Sequence, residues 1–169
     1  MLMGFGVLGG AIAASKMAAD GTALILSNRI ADPADAIADE LARAMRSAHG
    51  LYVRPRTTPV TASRTEDIAA AMPKGTSYAL DVQTRGWGVQ YVSTDWTRYR
   101  VSYYGVARLI DTETRKMVAE GSCTRESPAK ESAPTYNELT ANHAAILKKE
   151  LALAASDCIA TFKKEMLAL

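Results

Sequence analysis

Histidine and cysteine are scarce in this chain of 169 residues, two of each, and phenylalanine and tryptophan are as rare. Zinc and iron sites take their nitrogen and sulfur ligands from His and Cys at short spacings. Neither His49 nor His143 has a Cys, His, Asp or Glu three or four residues away. His49 instead suits a helix end, where a cation complements the dipole, and His143 falls on the apolar stripe of the last helix as a packing residue. A Gly-x-Ser-x-Gly nucleophile elbow is also missing. The sequence therefore assigns no catalytic residue, no metal ligand and no cofactor, and the chain is not expected to be an enzyme.

Charge of one sign is missing too. Twenty basic residues meet eighteen acidic ones, for a net charge of +2. Such balance excludes the polybasic footprint of a nucleic-acid binder. The stretch 51–116 is the basic part, with ten basic against six acidic residues. A solvated sheet face accounts for that excess. Tyr104 among Arg98, Arg100 and Arg108 superficially suggests an RNA-stacking sheet, but the order of elements is wrong for one.

No apolar run reaches the ~20 residues of a spanning helix. The longest, Met1 to Ala14, consists of apolar residues and Gly and stops at Ser15-Lys16. No basic residue precedes it, and no cysteine follows at a lipoprotein cleavage position. It is expected to be the stump of a longer upstream segment, and membrane association would run through that missing anchor.

What is present reads as a Gly/Ala-rich lead, 1–31, followed by one α+β domain, 32–169. Asp32 is a natural N-cap with Pro33 at the first helical position, and Ile37, Leu41 and Met45 recur at helical spacing up to His49-Gly50. Leu51-Tyr52-Val53 suggests a short strand ended by Pro55, able to pair in parallel with the next strand. Ser63-x-x-Glu66 has capping-box spacing and opens a short helix running through Met72. From Ser77 the period is two: Tyr78, Leu80 and Val82, then, after a phase shift at Gly86, Trp87, Val89 and Tyr91, which predicts a bulge. Tyr99, Val101, Tyr103, Ala107 and Leu109 line one face of the next strand, with Arg98, Arg100, Ser102, Tyr104 and Arg108 on a wet opposite face. Met117, Ala119, Gly121 and Cys123 return on the apolar side. Thr135-x-x-Glu138 is a second capping box, and a long helix, expected to bend or to fray at its end, runs on toward Met166 with Leu147, Leu151, Cys158 and Phe162 on one stripe. The fold class is α+β: helix, strand, helix, an antiparallel three-strand meander and a long C-terminal helix, with the helices on one face of a single sheet.

Two features invite function. Gly4-x-Gly6-x-x-Gly9 matches a dinucleotide fingerprint, and Leu24-Ile25-Leu26 could serve as a second strand, which makes a truncated nucleotide-binding domain the alternative reading. The motif needs a strand before its glycines, and only Met1-Leu2-Met3 stand there. Seven of the eleven aromatics fall between residues 78 and 104. Trp87 and Trp96 bracket a hairpin loop, where large aromatics are less expected, and form the candidate contact patch.

Alternation places Cys123 on the apolar sheet face, and helical spacing places Cys158 on the stripe that covers it. The two sulfurs therefore meet at one interface, either as buried thiols or as a bridge.

Tyr78-Ala79-Leu80-Asp81-Val82, Thr94-Asp95-Trp96, Ala107 to Thr114, Ala119 to Cys123 and Ala133 to Tyr136 together resemble a family of uncharacterised proteobacterial envelope proteins, often lipoproteins, with a periplasmic α+β domain. The strand–turn–strand around Asp111 is similar to one in several periplasmic lipoprotein domains. The resemblance implies a periplasmic or outer-membrane-associated compartment, and there the wet sheet face or the Trp loop is expected to serve a binding or assembly module with a protein or envelope partner. In that oxidising compartment Cys123 and Cys158 are expected to form a disulfide.

Overall fold

The computed structural model describes residues 21–54, 64–128 and 132–168. Residues 21–28 are helical, so Leu24-Ile25-Leu26 is not a strand. Leu24 and Ile25 pack on the main core, Ile30 is buried in it, and Leu26 faces outward. This described part of the lead thus adjoins the domain.

Helix α1, Pro33–His49, starts where its cap dictates. The Asp32 carboxylate accepts the Ala34 N–H at 2.9 Å, and Pro33 occupies a first-turn position that needs no donor. Ile37, Leu41 and Met45 are buried as their spacing requires. Gly50, at φ 63°, ends the helix in the left-handed region and donates its N–H to the Arg46 carbonyl. Leu51, Tyr52 and Val53 then form no strand, and Tyr52 is exposed. The four residues between the left-handed Gly50 cap and Pro55 join no ladder, since the cap turns the chain and proline cannot donate to one, so the expected parallel pair is replaced by an all-antiparallel sheet. The Ser63 cap lies outside the described residues, and helix α2 is shorter than expected, at Thr65–Ala70.

Strands β1 (Tyr78–Val92), β2 (Asp95–Asp111) and β3 (Lys116–Glu126) form an antiparallel meander in the order β1-β2-β3. The expected bulge falls between Thr84 and Gly86. A second one, between Leu109 and Ile110, sets Met117 opposite Ile110 instead of leaving it on the face of Ala119, and Met117 is exposed. Helices α1 and α3 cover one face, where Val101, Tyr103, Ala107 and Cys123 pack with Leu147, Leu151, Cys158 and Phe162. The opposite face is not simply wet. Helix α2 lays Ile68 and Ala69 over Ala79 and Ile110 in a small second core. Arg108 on that face is also buried, its Nε and Nη2 donating to Asp81 Oδ2 at 2.9 and 2.6 Å, while Gln83 donates to the same carboxylate. Two aligned donors and a carboxylate partner let a charge leave water.

Helix α3, Tyr136–Glu165, opens with the capping box in full: Glu138 N–H donates to Thr135 Oγ1, and Thr135 N–H donates to Glu138 Oε2 at 2.7 Å. A break follows. Asn142, His143 and Ala144 take φ values of 52°, 57° and 56°, a single left-handed turn. This is the expected bend, and it corrects one placement: His143 is rotated outward and exposed, while Ala144 fills the buried slot. From Leu147 onward the predicted stripe is buried.

The hydrogen bonds from Thr135 hold the Glu138 carboxyl below its usual value. A depressed folded-state value adds stability that is complete above the unfolded carboxyl range and fades as pH falls through the folded one. Acidification below about pH 4 should therefore weaken the start of α3. Glu138→Gln should flatten the acid limb of a melting-temperature profile; an unchanged limb would show the box contributes nothing there.

Candidate functional site

The β1–β2 hairpin projects past the end of β3. Ser93 and Thr94 link Val92 to Asp95, and Asp95 Oδ1 accepts the Thr97 N–H at 2.9 Å and the Thr97 hydroxyl at 2.6 Å. These bonds hold the Asp95 carboxyl below its usual range, the Thr97 hydroxyl foremost. Beyond β3 the chain closes the free side of β2 with its own backbone. Ser127 N–H donates to Val101 O, Ser127 Oγ accepts Val101 N–H, and Tyr99 N–H donates to Pro134 O, each at 2.8 Å. Arg98 donates to Ala133 O at 2.9 Å and lies 3.8 Å from Asp95 and 3.6 Å from Glu138. The tip is therefore a stiff platform whose charges neutralise one another.

On that platform stands a continuous row of rings. Trp96 meets Tyr91 at 5.9 Å between centroids, Tyr91 meets Tyr99 at 4.8 Å, and Tyr99 meets Tyr136 at 5.7 Å. Trp96 is 75% exposed, Tyr91 54% and Tyr136 46%. The Tyr91 hydroxyl, through a hydrogen bond, raises the Tyr99 phenol above its ordinary value. Side-by-side rings at these spacings gain about 0.5–1.5 kcal/mol per pair beyond area burial, so the row is preorganised before anything binds it.

Of the two expected indoles, only Trp96 lies in this row. Trp87 pairs in register with Tyr103 and packs, half-buried, against the main core. The ring that meets Trp96 belongs to Tyr91. Simple pairing across a Ser93-Thr94 turn could have suggested the Tyr91–Trp96 contact, whereas Tyr91 comes opposite Tyr99 only through a register shift next to Val92. Tyr136 carries no local signal, because it arrives with the cap of α3.

The structure joins Cys123 and Cys158 in a disulfide, with the sulfurs 2.04 Å and the Cα atoms 5.4 Å apart. Beside it Arg125 reaches from the sheet to α3, with Nε 2.7 Å from Asp157 and Nη1 3.0 Å from Glu150. A second polar link ties α1 to the sheet: the Tyr103 and Thr84 hydroxyls lie 3.0 Å apart, and Thr84 donates to Asp32, the α1 cap. Burial raises the Tyr103 phenol. These groups fasten elements together.

Shallow cavities among the described residues include one of about 390 Å³ beside Met72, Thr76 and Thr112 and one of about 180 Å³ beside Val101, Ser127 and Glu150. Neither is lined by a histidine or cysteine. Among the described residues no three His, Cys, Asp or Glu side chains gather as a metal site, and no helix is long and apolar enough to cross a membrane. The Gly4–Gly9 motif lies outside the described residues. No protein-family model, curated protein or solved structure matches the chain.

Proposed function

We propose that this protein is a non-catalytic binding or assembly module of the cell envelope, periplasmic or outer-membrane-associated, that docks on a protein partner through its hairpin tip. The exposed row Trp96–Tyr91–Tyr136 carries the reading. Tryptophan and tyrosine supply large contact areas with few torsions to freeze, and they dominate protein-interface hot spots. The Cys123–Cys158 bridge supports an oxidising compartment. The nucleotide-binding alternative has lost its second strand, since residues 21–28 are helical.

A photo-crosslinking amino acid in place of Trp96, in the full chain within cells, should give a discrete adduct. The same probe at Glu113, on the far end of the sheet, should give none. Tyr91→Ala should lower the adduct about tenfold, the loss that removing a hot-spot ring produces. Equal labelling from both positions, or indifference to Tyr91, would discard the tip as a docking surface.

A further inference from the structure

Four glycines lie within the strands: Gly86, Gly88, Gly105 and Gly121. A glycine weakens a strand, and inside a sheet it commonly marks a place where another group must come close. Two of the four have their reason within the chain. A Cβ on Gly105 would lie 2.8 Å from the Tyr103 hydroxyl oxygen, and one on Gly121 would lie 3.0 Å from the Phe162 ring. Gly86 and Gly88 have no such reason. A Cβ on Gly86 meets nothing within 4 Å, and one on Gly88 meets only the Ser102 hydroxyl at 3.8 Å. Neither has positive φ. The extra residue of the nearby bulge is Arg85, and Tyr104, the cross-strand partner of Gly86, leaves the glycine uncovered.

Both glycines open onto the same face of β1, and β1 is an edge strand, with a neighbour on one side only among the described residues. At the turn end of the same edge, Tyr91, on the opposite face of β1, and Trp96 are exposed. Arg85 is exposed as well. Arg98, Arg100 and Arg108 on β2 are all in ion pairs, and Arg85 is in none among the described residues.

We propose that the outer edge of β1, from Arg85 to Val92, accepts an extended segment of a different polypeptide as a fourth strand. The edge amides and carbonyls supply main-chain hydrogen bonds. The bare strip over Gly86 and Gly88 leaves room for large side chains of the segment to lie across the strand, room that a branched side chain there would fill. Tyr91 and Trp96 anchor one end, and Arg85 selects an acidic residue at the other. A second copy of this chain fits poorly, because overlaying the two strips sets glycine against glycine and leaves the space unfilled. The inference rests on the binding reading above and adds to it the form of the partner.

Gly88→Val in the full chain separates the two. Valine suits a strand, and the open space tolerates it, so the melting temperature should hold or rise by about 2–4 °C. The adduct from position 96 should nevertheless fall at least about tenfold. Thr124→Val, an exposed position on the same face of β3, should leave the adduct unchanged. A lowered melting temperature would show that Gly88 serves the fold, and an undiminished adduct that the partner uses the tip alone; either overturns the added strand while the binding reading stands. An adduct twice the mass of the chain would make the occupant a second copy and overturn it as well. Absence of any adduct in the unsubstituted protein would remove both.

Discussion

Replacing Cys123 and Cys158 together with alanine should cost the folded domain about 4 kcal/mol, measured as a shifted urea midpoint. The bridge spans 35 residues of sequence, from the middle of β3 to the last third of α3. Cutting it frees a long loop in the unfolded chain, and in the chain-entropy view that freedom is the main loss. Cys158 is fully buried and Cys123 nearly so. Alanine at both positions therefore adds a small void but no unpaired polar group. Arg125 still ties the same sheet edge to Glu150 and Asp157, so the domain should fold, at a lower midpoint. Reducing the unsubstituted protein under denaturing conditions and following its refolding should reproduce the deficit. A double variant melting with the parent would show that the packing of α3 is indifferent to the covalent tie.

Gly105→Ala should lose about 1–3 kcal/mol, the usual cost of overpacking a filled interior. Gly105 lies in the middle of β2, where the new methyl would stand 2.8 Å from the Tyr103 hydroxyl oxygen and 2.9 Å from its Cε1. Tyr103 is 1% exposed and its hydroxyl is held by Thr84, so the ring has little room to turn aside. Strand propensity alone would make the same change favourable, so the sign of the effect identifies the clash. Tyr103→Leu removes the ring, and the double variant should lose less than the sum of the two single ones. Additive losses, or a Gly105→Ala variant more stable than its parent, would place the ring elsewhere.

Local chemistry carried much of this architecture into the sequence. The Asp32-Pro33 cap, the Thr135–Glu138 box and the phase change at Gly86 are decided by neighbours in the chain, and the structure keeps all three. The Cys123–Cys158 contact was legible because two periodicities, one of the strand and one of the helix, each point a sulfur at the same layer. Where the reading failed, a longer-range condition decided. Leu51–Val53 has a strand's composition, but it is hemmed in by the Gly50 cap and Pro55 and joins no ladder. His143 obeys the helical count until the left-handed turn breaks it. Arg108 looked like a solvated cation until Asp81 on the neighbouring strand became its partner. The tip shows the same division: Trp96 stands out in the sequence, whereas its link to Tyr136 exists only after α3 has docked.

The buried Arg108–Asp81 pair also bears on how the strands choose their alignment. Side chains alternate along β2, so slipping it by one residue against its neighbours would exchange the two faces of the sheet. Val101, Tyr103 and Ala107 would leave the apolar layer, and Arg108 would be driven in beneath α1 and α3, away from Asp81. An unpaired guanidinium in that layer would cost more than the hydrogen bonds of the shifted ladder return. A hairpin this long has many alternative alignments, and a single ion pair on its second face penalises those of odd offset.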